Sequence, residues 1–150
     1  MLEPGATLPL LTVRDDTGAE ISTHDLLTGA QHLVLYFYPK DDTWGCTKEA
    51  TQFREAYESF RRKDATIVGV SRDSVESHRL FKEKYLIPFR LLADVESRLC
   101  DAFGVIVDEN IYGKNAIQRS TFVFDANGTL VRSWPKVTVL GHPEEILKEL

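Results

Sequence analysis

Two residues of the chain are reactive by type, Cys46 and Cys100, and the spacing around Cys46 gives that sulfur work to do. It closes the segment Tyr38-Pro39-Lys40-Asp41-Asp42-Thr43-Trp44-Gly45-Cys46, which leaves an apolar strand and enters a helix, the place where open α/β sheets put their sites. Counting back four from Ala50 along the helix stripe lands on Cys46, so the sulfur is expected in the first turn, facing inward beside backbone N–H groups with no intrahelical partner. A thiol there has reason to ionise. The helix end contributes at most about 1.5 pK units, and an adjacent cation a further 1 to 3, roughly. Arg119, at the start of a later strand, is the candidate cation, because a guanidinium stays charged throughout. Such a thiolate is a nucleophile. The four histidines, 24, 32, 78 and 142, show no ligand spacing, so no metal site is expected. His78 reads as a packed or capping residue on the face of Phe81 and Tyr85. Asp41 and Asp42 read as solvated turn residues, with Asp42 capping the next helix, and Thr43 has a second reading as its N-cap.

The elements that must hold these residues follow from hydrophobic periodicity. Leu10–Val13 and Ala19–Ile21 flank the turn Asp15-Asp16-Thr17-Gly18 and predict an N-terminal hairpin. His32–Tyr38 and Ala65–Ser71 are near-continuous apolar runs, the pattern of central strands covered on both faces. Between them Ala50, Phe53, Tyr57 and Phe60 form one helical stripe, so the two strands should be parallel with a crossover. Asp73 and Glu76 suggest a capping box before a helix reaching about Tyr85. Phe89–Leu92 reads as a short strand and Val95–Phe103 as a helix closed by Gly104. Ser120–Asp125 and Thr129–Trp134 flank Ala126-Asn127-Gly128, a strong hairpin signal, and a last helix follows Pro143. The sum is a single α/β domain, residues 1–150, with a mixed central sheet flanked by helices.

Composition narrows the partners. Eighteen basic against 23 acidic side chains leave a net charge of −5, and no basic run marks a nucleic-acid footprint or an anionic membrane surface. No window approaches the roughly 18 apolar residues of a membrane span. Met1-Leu2-Glu3-Pro4-Gly5 lacks the features of an export signal, so a cytoplasmic protein is expected, in which two cysteines are reactive or buried thiols rather than a structural disulfide.

The segment Phe37–Thr43 followed by Gly45-Cys46-Thr47-Lys48-Glu49-Ala50 closely resembles the active-site segment of peroxiredoxins of the Q type, also called bacterioferritin comigratory protein. The pattern Pro-x-x-x-Thr-x-x-Cys falls on Pro39, Thr43 and Cys46. The resemblance continues through Val70-Ser71, Asp73–His78 and Arg119–Val123, and so covers nearly the whole chain. It implies a thioredoxin-like fold and an antioxidant thiol peroxidase that reduces hydrogen peroxide or organic hydroperoxides without a cofactor. By that likeness Cys46 is the peroxidatic cysteine and passes through a sulfenic acid. Thr43, Arg119 and the amides of Gly45 and Cys46 supply donors to the reacting oxygens, and Pro39 shields the sulfur from water. The implied reductant is thioredoxin, glutaredoxin or a low-molecular-weight thiol, and the implied state is a monomer or weak homodimer.

Two departures stand out. Trp44 occupies a position where the family commonly has Pro, and its indole either narrows the pocket mouth in favour of apolar hydroperoxides or packs on a neighbouring loop. Thr51 stands five residues after Cys46, where many relatives carry a resolving cysteine, and Asp73–Tyr85 holds none. Cys100 is the remaining thiol. Its first reading is a small, half-buried residue at the edge of the Val95–Phe103 stripe. Its second is a resolving thiol, which would have to bring its Cα within about 7 Å of that of Cys46. The main expectation is a one-cysteine cycle cleared by an external thiol. The alternatives are a two-cysteine cycle through Cys100, or a redox-sensing or chaperone-like protein switched by oxidation of Cys46.

Overall fold

The apolar runs become the middle of a seven-stranded sheet. The structure is a computed structural model describing residues 1–150. In chain order it runs β1 (Thr12–Asp15), β2 (Glu20–Ser22), a 3-10 turn (Thr23–Leu27), β3 (His32–Phe37), α1 (Trp44–Glu55), α2 (Tyr57–Arg62) and β4 (Ala65–Ser71). It continues with α3 (Val75–Tyr85), β5 (Arg90–Ala93), α4 (Arg98–Phe103), β6 (Ile106–Asn110), β7 (Gly113–Ile117), β8 (Ser120–Asp125), β9 (Leu130–Trp134) and α5 (His142–Leu147). The main sheet has the order β2-β1-β5-β4-β3-β8-β9, and β6 and β7 form a separate two-stranded ribbon. β3 pairs parallel with β4 and antiparallel with β8, and β4 pairs parallel with β5. The mixed sheet with flanking helices and an N-terminal hairpin is therefore present, including the parallel crossover.

Alternation along β3 divides the core in two. Leu33, Leu35 and Phe37 face one way and pack with Phe103, Phe122, Phe124 and Cys100. Val34, Tyr36 and Tyr38 face the other and pack with Cys46, Phe53, Phe60 and Phe89. The Tyr36 ring stacks on Phe53 with centroids 4.6 Å apart, which seats α1 against the sheet. Gly69, opposite Tyr36 on β4, makes room for that ring: a Cβ there would lie 3.0 Å from the Tyr36 ring and 2.9 Å from Leu91 Cδ2.

Several boundaries differ from expectation, each for a local reason. The first hairpin pairs Thr12–Arg14 with Glu20–Ser22, because the Asp15 carboxylate closes the turn by accepting from the Thr17 amide and hydroxyl and the Ala19 amide. The long stripe after Cys46 is two helices, divided at Ala56, and nothing in the sequence breaks it there. The N-cap of α3 is Ser74, whose hydroxyl accepts from the Ser77 amide; Asp73 is used elsewhere, as described below. α4 starts three residues later than expected, since the Asp94 carboxylate takes the amides of Leu99 and Cys100 and leaves Val95 exposed. Cys100 is consequently core, not edge, with no exposed surface. The β6–β7 ribbon was not anticipated: half of its residues are exposed and burial does not alternate along either strand, so it carries little pattern to read.

Candidate active site

The strand-to-helix segment is built from its backbone outward. Beyond β3 the Tyr38 amide still donates to Val70 O at 3.0 Å, extending the ladder until Pro39 ends it. The chain then turns through Asp42, which has φ 59° and is anchored by Lys84 Nζ at 2.8 Å and Tyr85 OH at 2.6 Å on its carboxylate. Thr43 is the N-cap of α1 by position, but its hydroxyl makes no capping bond; it donates to Lys40 O at 2.8 Å. The Thr47 amide makes the bond back to Thr43 O at 2.9 Å. The amides of Trp44, Gly45 and Cys46 precede it and so have no carbonyl within the helix to reach.

Cys46 lies in this first turn, 1% exposed. Arg119 crosses to it from the residue before β8, with Nη2 at 3.5 Å from Sγ. The same guanidinium donates through Nη1 to Glu49 Oε1 at 2.8 Å and through Nη2 to Tyr112 OH at 3.2 Å. Gly45 lies directly beneath it: a Cβ there would stand 3.1 Å from Nη2 and 3.2 Å from Tyr112 OH. Pro39, Thr43, Gly45 and Arg119 line one cleft, with Trp44 and Ile111 at its rim. Trp44 is 76% exposed, so its indole packs on no loop in this state. Arg119 is 8% exposed, and its charge is held more firmly than an ordinary guanidinium's by Glu49 and Cys46 despite burial.

Glu49 has no exposed surface, and its Oε2 has no hydrogen-bond partner. Burial penalises the carboxylate more than Arg119 helps it, and its pKa is pushed up to about 7. Its sequence signal was available: it lies three residues after Cys46 on the inward stripe, where a charge demands a buried partner. Tyr112, the other overlooked contact, sits in the unanticipated ribbon. Asp41 is also reassigned, since it is buried rather than solvated. Donor atoms of Asp41, Asp73 and His78 lie within 4.8 Å of one another. Each is already turned to a hydrogen: Asp73 Oδ2 accepts from the Ser71 hydroxyl and the Asp41 amide, and Asp41 Oδ2 accepts from the Ser77 hydroxyl and faces His78.

Of the residues singled out in the sequence, Pro39, Thr43, Gly45, Cys46 and Arg119 converge, and Cys100 does not. It lies in the core on the opposite face of the sheet from Cys46, and burial together with the nearby Asp94 carboxylate pushes its thiol pKa far up.

Comparisons with known proteins agree with one another. The AhpC/TSA family matches residues 4–133. Peroxiredoxin Bcp of Bacillus subtilis is 45% identical over 151 residues, covering 99% of this chain and 95% of its own. A crystal structure of a Xylella fastidiosa PrxQ mutant superposes with a TM-score of 0.92 at 37% identity, covering 99% of this chain and 95% of that one. The bacterioferritin comigratory protein of Xanthomonas campestris, solved in work on its alkyl peroxide reduction activity, has a TM-score of 0.84 at 39% identity, with 96% of each chain covered.

Proposed function

The chain belongs to the AhpC/TSA family and is a peroxiredoxin of the Bcp/PrxQ kind, a thiol-dependent peroxidase; from that premise we propose that Cys46 is its peroxidatic cysteine, working in a one-cysteine cycle on hydrogen peroxide and organic hydroperoxides. The observation that carries this reading is the Arg119 guanidinium at 3.5 Å from Sγ, held in place by Glu49. In the first step Sγ, as thiolate, attacks the terminal oxygen of R–O–OH. An S–O bond forms, the O–O bond breaks, and with one proton the products are Cys46 sulfenic acid and ROH. Negative charge leaves sulfur and develops on the departing oxygen, and Arg119 with the amides of Gly45 and Cys46 faces both. Thr43 has a different part from the donor role the resemblance implied. Its proton is committed to Lys40 O, so its oxygen accepts the peroxide hydrogen and orients the attacked O–O bond. Pro39 keeps bulk water from the sulfur.

An external thiol then attacks the sulfenic acid, releases water and leaves a mixed disulfide, which a second thiol reduces. Thioredoxin, glutaredoxin or a low-molecular-weight thiol fits this step, and the cycle needs no cofactor. The opposed placement and raised pKa of Cys100 argue against an internal resolver. Residues 1–150 act as one catalytic domain, in a monomer or weak homodimer, and the compartment we assign is the cytoplasm; no helix is long and apolar enough to cross a membrane. The test is the intact mass of the reduced protein after one equivalent of hydrogen peroxide with a sulfenic-acid trap. Trap addition at Cys46 alone is expected. An unmodified chain would sink the peroxidatic assignment, and loss of two hydrogens with a Cys46–Cys100 peptide would establish the two-cysteine cycle instead.

A further inference from the structure

The loop that carries Pro39 and Thr43 is fastened from beneath by a buried cluster that the chemistry of Cys46 leaves unused. Asp41 points down from the middle of that loop. Its Oδ1 accepts from Tyr38 OH at 2.6 Å, and its Oδ2 accepts from the Ser77 hydroxyl at 2.8 Å and faces His78 Nδ1 at 2.7 Å. Its amide donates to Asp73 Oδ2 at 2.9 Å. His78, with no exposed surface, turns its other nitrogen, Nε2, to the Leu92 carbonyl of β5 at 2.9 Å. A neutral imidazole has one N–H and one lone pair, and here both nitrogens face oxygens that accept. The ring is satisfied only with a hydrogen on each.

We propose that the His78 imidazolium and the Asp41 carboxylate form a positioning pair for peroxide chemistry: protonated, it holds residues 39–43 so that Thr43 meets the peroxide, and deprotonated, it lets that loop relax. The inference rests on the peroxidase reading of Cys46. Burial alone would lower the His78 pKa, but the hydrogen bond and charge of Asp41 outweigh it and hold it above the ordinary 6.5. The groups facing the ring are Asp41 from the loop, Asp73 from the β4–α3 turn, the Tyr38 phenol at the end of β3 and the Leu92 carbonyl of β5. Charged neighbours on α3 are engaged elsewhere, Arg79 with Glu76 and Glu83, and Lys82 with Asp16. By linkage, a raised histidine pKa gives an interaction that is complete below 6.5 and lost as pH rises through the folded value. The loop is therefore held below pH 6.5 and released as pH rises through the folded value of His78.

The test uses the ratio of two second-order rate constants of Cys46, one with hydrogen peroxide and one with iodoacetamide. Ionisation of the sulfur enters both and cancels, whereas Thr43 serves the peroxide alone. In the wild-type chain the ratio should fall as pH rises, in step with the titration of His78 followed by its 15N shifts. In His78→Gln and in the milder Ser77→Ala the ratio should be lower at pH 6.5, by about 10- to 100-fold for His78→Gln, and in His78→Gln the part of the fall that follows His78 should vanish. Glu49, titrating near 7 beside Arg119, adds its own limb to every variant and drops out of the comparison. A His78→Gln chain that does not fold leaves the wild-type titration and Ser77→Ala to decide. A His78 that is mostly neutral at pH 6.5, or a ratio indifferent to its titration and to both substitutions, overturns the positioning role while leaving the peroxidase intact. A wild-type thiol that iodoacetamide modifies and peroxide does not would instead overturn the peroxidase reading, and this inference with it.

Discussion

Glu49 has two effects that pull against each other. Its Oε1 aims Arg119 at the sulfur, and its buried carboxylate is costly because Oε2 has no partner. The cost has a pH signature. The folded state binds the Glu49 proton more tightly than the unfolded chain, where the carboxyl titrates near 4.5, so its contribution to stability is greatest below 4.5 and declines as pH rises to about 7. That difference corresponds to about 3 kcal/mol. Denaturation of the wild type should lose about that much relative to Glu49→Gln between pH 4.5 and 7.5, and parallel curves would remove the claim. Pro39, Thr43, Cys46 and Arg119 were legible because a spaced motif announces them. Glu49 was overlooked because a charged side chain on a helix is ordinarily turned to water, and only its phase with Cys46 places it inward.

At the scale of elements, the first turn of α1 fits the guanidinium only because residue 45 has no side chain. Gly45→Ala would put a methyl group 3.1 Å from Arg119 Nη2, and Arg119 is too enclosed to move without losing Glu49 or the sulfur. The rate with peroxide should fall about 10-fold or more, with secondary structure intact; an unchanged rate would show that Arg119 need not sit where it does. The central strands and the β8–β9 hairpin were legible because apolar runs and an Asn-Gly turn are local signals. The Ala56 break and the β6–β7 ribbon were not: one lacks a breaker residue, and burial does not alternate along the other. Since Tyr112 comes from that ribbon, part of the site was hidden with it.

Across the whole molecule, the sheet stands between the two thiols. Cys46 belongs to the layer with α1, and Cys100 to the layer with Phe103 and Phe122. Cys100→Ala should therefore keep multiple turnovers with an added thiol at close to the wild-type rate, while losing about 1 kcal/mol of stability as a small buried group is removed. Arrest after one turnover would assign Cys100 a chemical role. Sequence order alone left this separation open, because the connection carrying Cys100 joins β5 to the antiparallel β8, and the handedness rule that fixes the side of a parallel crossover does not reach it.

That partition also governs time. In a one-cysteine cycle, a molecule once oxidised has no thiol of its own on that side of the sheet, so it keeps the record of a single encounter until another molecule arrives to erase it. The oxidised fraction of the population then follows the ratio of two collision frequencies, one with peroxide and one with reductant, and not an internal clock. Starved of reductant, such a population accumulates its history, and further peroxide drives the sulfenic acid toward the sulfinic form.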